Sequence, residues 1–188
     1  MSSLSIWRAK PNPKGKDKDN EKPISSQLNG EWIELKNNTA SVISLGDMKV
    51  YHTKFDQNGN PEPTLQLYWT GKESLKLVAN GVVRVHTGHA ADEGAMALED
   101  KSGADLHAFA EHGTFKLNNR EGDYLYLYSG QNLIDKAYYE KNVRDGAVLT
   151  RVGDKLVDHD QGGTTGTGST GGKQWNAPAI VGHTGKAA

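Results

Sequence analysis

His86, His89, His107 and His112 lie close in sequence to Asp92, Glu93 and Glu111. A His-x-x-His pair followed by a carboxylate is a donor set that suits zinc, which makes His86, His89 and Asp92 the candidate metal ligands. On an extended backbone, however, His86 and His89 point to opposite sides, and only a turn at Thr87-Gly88 would bring them together. The plainer reading gives these histidines structural or solvated roles, so no metal and no other cofactor is predicted. Asp56-Gln57-Asn58-Gly59-Asn60 resembles the first half of a calcium loop. That loop needs Gly at its sixth position and Glu at its twelfth, where this chain has Pro61 and Leu67, so a β-turn is expected instead.

No Gly-x-Ser-x-Gly elbow occurs, and Glu31 and Glu34 fall on opposite faces of one strand. No catalytic residues are assigned, and the chain is read as non-enzymatic. Binding chemistry has more to work with. Lys10, Lys14, Lys16, Lys18 and Lys22 share one segment, with Trp7 and Trp32 to either side, a basic and aromatic mixture of the kind that holds nucleic acid; Asp17, Asp19 and Glu21 dilute it. Trp69 with Tyr68, and the alternating Tyr124, Tyr126 and Tyr128, are stacking platforms for a carbohydrate or other ligand. The bland alternative is that the tyrosines are cross-strand pairs that stabilise a sheet. Trp175, with Ala179-Ile180-Val181, reads as a docking peptide that adds to an exposed sheet edge of another copy.

Strands must position all of these residues. Glu31 to Lys36 alternates, with Ile33 and Leu35 on one side and Trp32, Glu34 and Lys36 on the other, as a half-buried strand should. Further strands are expected at Ser3 to Trp7, Val42 to Leu45, Met48 to His52, Leu65 to Trp69, Leu75 to Leu77 and Val82 to His86. Weaker ones follow at Met96 to Leu98, Leu106 to Ala110 and Phe115 to Leu117, then Tyr124 to Tyr128 and Leu133 to Tyr139. Gly, Asn, Asp and Pro punctuate them, and Asn80-Gly81 reads as a tight hairpin turn. Lys10 to Lys22 is expected to be a solvated loop. Ala147 to Val152 and Lys155 to Val157 flank Gly153-Asp154 as an extra hairpin at an edge.

Composition sets the outer limits. The 188 residues suffice for one domain of ordinary size. A formal charge of −1 excludes a strong field of the whole molecule toward phosphate or lipid. With no cysteine, neither disulfides nor thiolate sites are available. No apolar run approaches the roughly 18 residues of a membrane span, and the first residues lack the basic-then-apolar pattern of a signal peptide. These features predict a soluble, cytoplasmic protein. From Gly162 to Gly172 the chain is only Gly, Thr and Ser, the composition of a flexible linker.

Three segments carry a family resemblance: Leu28 to Leu35 as LNGEWIEL, Val83 to Gly88 as VRVHTG, and Leu117 to Asp123 as LNNREGD, preceded by Asn12-Pro13-Lys14-Gly15-Lys16-Asp17. In type and order they resemble the lamin tail domain, bacterial branch, over roughly Leu4 to Tyr139. The chain departs from that pattern in three places. Leu117 stands where a tryptophan is usual, one residue is inserted before Gly122, and Asp92 to His112 lacks the expected Asp-Leu-Tyr-Trp pattern. The resemblance implies an all-β, immunoglobulin-like antiparallel β-sandwich serving as a binding or scaffolding module, engaged in protein–protein interaction or assembly. A carbohydrate- or ligand-binding module and a nucleic-acid-binding accessory protein are the alternatives. Many bacterial relatives are exported, so the resemblance adds an extracellular location as a second possibility. The organisation expected is a sandwich over residues 1–142, an additional hairpin or edge extension over 143–160, and a linker with terminal peptide over 161–188.

Overall fold

The computed structural model describes residues 2–160. The predicted linker and the terminal peptide with Trp175 lie outside the described residues. The first part of the chain folds as β1 (Leu4–Lys10), the short pair β2 (Lys18–Asp19) and β3 (Lys22–Pro23), helix α1 (Ser25–Gly30), β4 (Trp32–Asn37), β5 (Ile43–Ser44), β6 (Met48–Phe55), β7 (Pro61–Thr70), β8 (Lys76–Leu77) and β9 (Val82–His86). A 3-10 turn over Ala90–Ala95 and helix α2 (Leu98–Lys101) follow, then β10 (Leu106–Phe109), β11 (Asp123–Ser129), β12 (Asn132–Tyr139), β13 (Leu149–Val152) and β14 (Lys155–Asp158).

Ten strands join in one sheet in the order β10-β9-β4-β1-β13-β14-β12-β11-β6-β7. The all-β expectation holds, but the sheet is mixed: β10 runs parallel to β9, and β14 parallel to β12. Its inner face collects Leu4, Ile6, Ile33, Leu35, Val50, Val83, Val85, Leu125 and Leu127, all fully buried. Each such side chain contributes about 1.5–3 kcal/mol of transfer free energy. Both ends of the strand order meet across this core. The Tyr68 hydroxyl on β7 donates to the Val85 carbonyl on β9, 3.0 Å away, and His112 Nε2 donates to the Tyr68 carbonyl at 2.8 Å.

The hairpin β13–β14 forms where its Gly153-Asp154 corner was read, yet it lies in the interior of the strand order instead of at an edge. One charge pair explains the insertion. Asp135 on β12 accepts from the Ile6 amide on β1 at 2.8 Å and from Arg151 on β13 at 3.0 Å. Arg151 also donates to the Ile6 carbonyl at 3.1 Å. These bonds satisfy backbone groups where β1 and β12 approach without pairing.

Other expectations are corrected. Asn80-Gly81 turns the chain, with Asn80 at φ 59°, but the flanking strands do not pair with each other. β8 pairs β5 and β9 pairs β4, because the turn is tied to neighbouring chain through Asn37 N–H to Gly81 O and Asn80 N–H to Thr39 O. Met96 to Leu98 is not a strand: it joins the 3-10 turn, which packs on α1, to α2, whose Asp100 covers Trp32 on the outer face of β4. Phe115 to Leu117 is not a strand either. As a result β4 is buried on both faces, not half-buried. Lys10 belongs to no solvated loop, since it is 3% exposed at the end of β1 and held by Asp100.

Candidate functional site

Gly122 sits at φ +78°, and a Cβ there would come within 2.5 Å of the Tyr139 carbonyl. Only glycine lets the chain turn this tightly into β11. From that corner Tyr124, Tyr126 and Tyr128 project from the outer face of β11, while Leu125 and Leu127 enter the core. β12 returns in register, with Tyr124 opposite Tyr138. The two rings stack with centroids 5.4 Å apart and planes 24° from parallel. Tyr126 stands opposite Tyr51 of β6, and Tyr51 meets Tyr128 edge-on at 5.5 Å.

The β6–β7 hairpin raises a wall beside this floor. Asp56 closes its loop by accepting from the amides of Asn58 at 2.8 Å and Asn60 at 2.9 Å, with Gly59 at φ +76°. This is the β-turn reading of that segment, and its carboxylate is occupied by the loop itself. Phe55, Pro61, Pro63 and Leu65 line one side of the resulting groove, with Tyr124, Tyr126 and Tyr138 beneath, and the groove encloses about 1100 Å³. Glu62, Glu121, Glu140 and Lys141 stand along it. Lys54 holds Glu62 at 2.7 Å and Lys155 holds Glu140 at 2.8 Å. Burial pushes the Tyr126 phenol up to about 12, so it stays a neutral donor at physiological pH.

The polar groups suited to acid–base chemistry are elsewhere, enclosed in the core. Glu31 accepts from Thr87 at 2.7 Å and from the Lys116 amide at 2.8 Å. Burial drives its carboxyl up to about 8, so it is protonated at neutral pH. Asp123 accepts from the Thr53 amide at 2.9 Å and lies 3.2 Å from His52 Nδ1. Acid and imidazole therefore converge, but His52 Nε2 has no hydrogen-bond partner among the described residues. A hydrolytic triad needs a nucleophile at that nitrogen, and none reaches it.

The remaining predicted residues are dispersed. His86 binds the Asn29 carbonyl through Nδ1 and His107 Nδ1 through Nε2. The carbonyl can only accept, so His86 carries its proton on Nδ1 and its Nε2 accepts from His107. Burial lowers the His86 pKa to about 4. His89 pairs instead with Glu111 at 2.9 Å, and no cluster of three metal-ligating side chains occurs among the described residues. His86, His89 and Asp92 are thus not assembled as ligands.

Trp32 is 2% exposed and donates to Asp100 at 2.7 Å, with the Arg84 guanidinium 4.2 Å above its ring. Trp69 and Tyr68 are buried as well. Neither Trp32 nor Trp69 can present a ring face to a ligand, because each is covered by chain distant in sequence. Trp7 falls at a bulge in β1 and is covered by Lys36 at 4.7 Å. Lys16 pairs with Asp19, Lys14 is exposed, and the mixed basic and aromatic patch does not form. Of the predicted binding residues, Tyr124 and Tyr126 line the groove, whereas Tyr128 packs edge-on against Tyr51 outside it. Sequence reasoning missed Tyr138, Phe55 and the two prolines. Pairing β11 with β12 across Gly130 would have found Tyr138.

Compared with known proteins, the sequence matches no family model and no curated protein. Among the described residues no helix is long and apolar enough to cross a membrane.

Proposed function

We propose that this chain is a non-enzymatic recognition module of lamin-tail, immunoglobulin-like type, which binds an extended protein segment in the tyrosine groove. One observation carries the reading: the stacked Tyr124–Tyr138 pair forms the floor of an open groove of about 1100 Å³. Aromatic rings that are already packed lose little freedom when a partner lands on them, which is why tyrosine dominates rigid contact surfaces. Apolar walls of Phe55, Pro61, Pro63 and Leu65 suit alternating side chains of an extended peptide. The order of the Leu28–Leu35, Val83–Gly88 and Leu117–Asp123 segments supports the lamin-tail assignment.

A carbohydrate is the second reading, favoured by tyrosine faces beside carboxylates. It is the weaker one, because sugar hydroxyls need free polar side chains and two of the three rim glutamates are held by lysines. Panning a random peptide library against the full chain, with a glycan array in parallel, separates the two. The proposal expects enriched peptides whose capture is lost in Tyr138→Ala. A glycan hit with no peptide enrichment would favour the carbohydrate reading.

A further inference from the structure

Glu62 and Glu140 on the groove are held by Lys54 and Lys155, and Asp123 is buried, which leaves Glu121 as the open carboxylate of the lining. Glu121 has no ion-pair partner among the described residues and is exposed. The occupant that fits is cationic, with an aromatic or apolar side chain to lay on the tyrosine floor.

Residues 161–188 have this chemistry. They contain Lys173 and Lys186, no Asp or Glu, and the apolar Trp175, Pro178, Ile180 and Val181. They also start in the right place. β14 runs parallel to β12 from the Tyr138–Lys155 pairing, toward the end of β12 that continues into Glu140 and Asn142. Asp160 is bonded to Arg144, two residues beyond Asn142 of the groove lining, a backbone span of at most about 7 Å. Between Asp160 and Lys173 the sequence is almost wholly Gly, Thr and Ser. A chain of that length and composition has an r.m.s. reach of roughly 20 Å.

We infer that the segment Lys173 to Val181 of the same molecule occupies the tyrosine groove and competes with outside ligands for it. Trp175 lies on the Tyr124–Tyr138 floor and Lys173 faces Glu121. This rests on the groove being a peptide site, as proposed above. A short tether sets an effective concentration on the order of 1 mM. A segment that binds at about 100 µM when free is then about nine-tenths bound in place, and blocks a competitor about tenfold.

The test titrates a fluorescein-labelled synthetic peptide spanning Gly171 to Thr184 into full-length wild type, Trp175→Ala and Trp175→Ala/Glu121→Lys. Glu121 is exposed, so changing it removes no core packing. Expected is an affinity about tenfold higher for Trp175→Ala than for wild type, falling back at least fivefold when Glu121→Lys is added. Equal affinities for wild type and Trp175→Ala, or no binding to Trp175→Ala, would overturn the inference. A tenfold gap that disappears on diluting the protein would overturn it too, by assigning the groove to the segment of a second copy. A library-selected peptide that binds wild type and Trp175→Ala equally would leave the groove standing as a peptide site and remove only self-occupation; no binding by either peptide removes both.

Discussion

The phenolic oxygen of Tyr68 stands 3.0 Å from the carbonyl of Val85 and 2.9 Å from the hydroxyl of Thr87. Thr87 spends its hydrogen on Glu31, so Tyr68 shares one hydrogen between the two. β7 lies at one end of the strand order and β9 beside the other, and this contact ties them across the core. Tyr68→Phe keeps the ring and deletes the bond. A buried bond removed from one side costs about 1–3 kcal/mol, so urea unfolding is expected to show a lower midpoint with an unchanged slope.

Glu31 makes stability fall with alkalinity. Its folded pKa of about 8 stands above the ordinary 4.5, so between those values the native state holds a proton that the unfolded chain releases. The contribution is complete below about pH 4.5 and is lost as pH rises through about 8, a total of roughly 3–5 kcal/mol. Glu31→Gln keeps an oxygen for Thr87 and Lys116 and cannot ionise. Chemical denaturation from pH 5 to 9 should show wild type losing stability relative to Glu31→Gln; parallel curves would exclude a protonated Glu31.

His86 works in the opposite direction. Burial holds its pKa near 4 against an ordinary 6.5, so its contribution is present above about 6.5 and lost as pH falls toward 4. Its neighbours His107 and Arg84 disfavour the charge, and Asp100 favours it. In NMR titration the His86 ring should keep its neutral signature, with the proton on Nδ1, down to about pH 5. A midpoint near 6.5 would contradict the burial.

Glu34 is fully buried between two arginines, accepting from Arg84 at 2.7 Å and from Arg8 at 2.6 Å. The bulge at Trp7 brings Arg8 onto the face of Glu34. Glu34→Ala leaves Arg84 charged and buried, at a cost of about 3–5 kcal/mol. Arg8 is 30% exposed, so Arg8→Ala should cost clearly less. Thermal melts of both variants check the order.

The strands were legible because alternation and Gly, Asn or Asp corners are local signals. Tyr124 to Tyr128 could be divided into an inner leucine face and an outer tyrosine face from the sequence alone. Burial of Trp32 and Trp69 could not, because it depends on α2 folding over β4 and on β7 closing onto β9, contacts between residues far apart in sequence. The same limit hid Lys10, whose partner Asp100 lies ninety residues away. The β13–β14 hairpin was readable from Gly153-Asp154, but its place in mid-sheet depends on Asp135 and Arg151, and nothing local marks either one. The groove was half visible: Tyr124 and Tyr126 of the alternating run mark its floor, while Phe55, Pro61 and Pro63 of its wall carry no local signal of a site.

Selective 13C labelling of the tyrosine rings offers the most direct view of the groove, since Tyr124, Tyr126 and Tyr138 form its floor while Tyr68 and Tyr139 belong to the core. On titration with a library-selected peptide, the Tyr124, Tyr126 and Tyr138 ring signals should shift together along one binding isotherm. Those of the core residues Tyr68 and Tyr139 should stay fixed. Binding that saturates while all three groove rings remain unmoved would contradict the account.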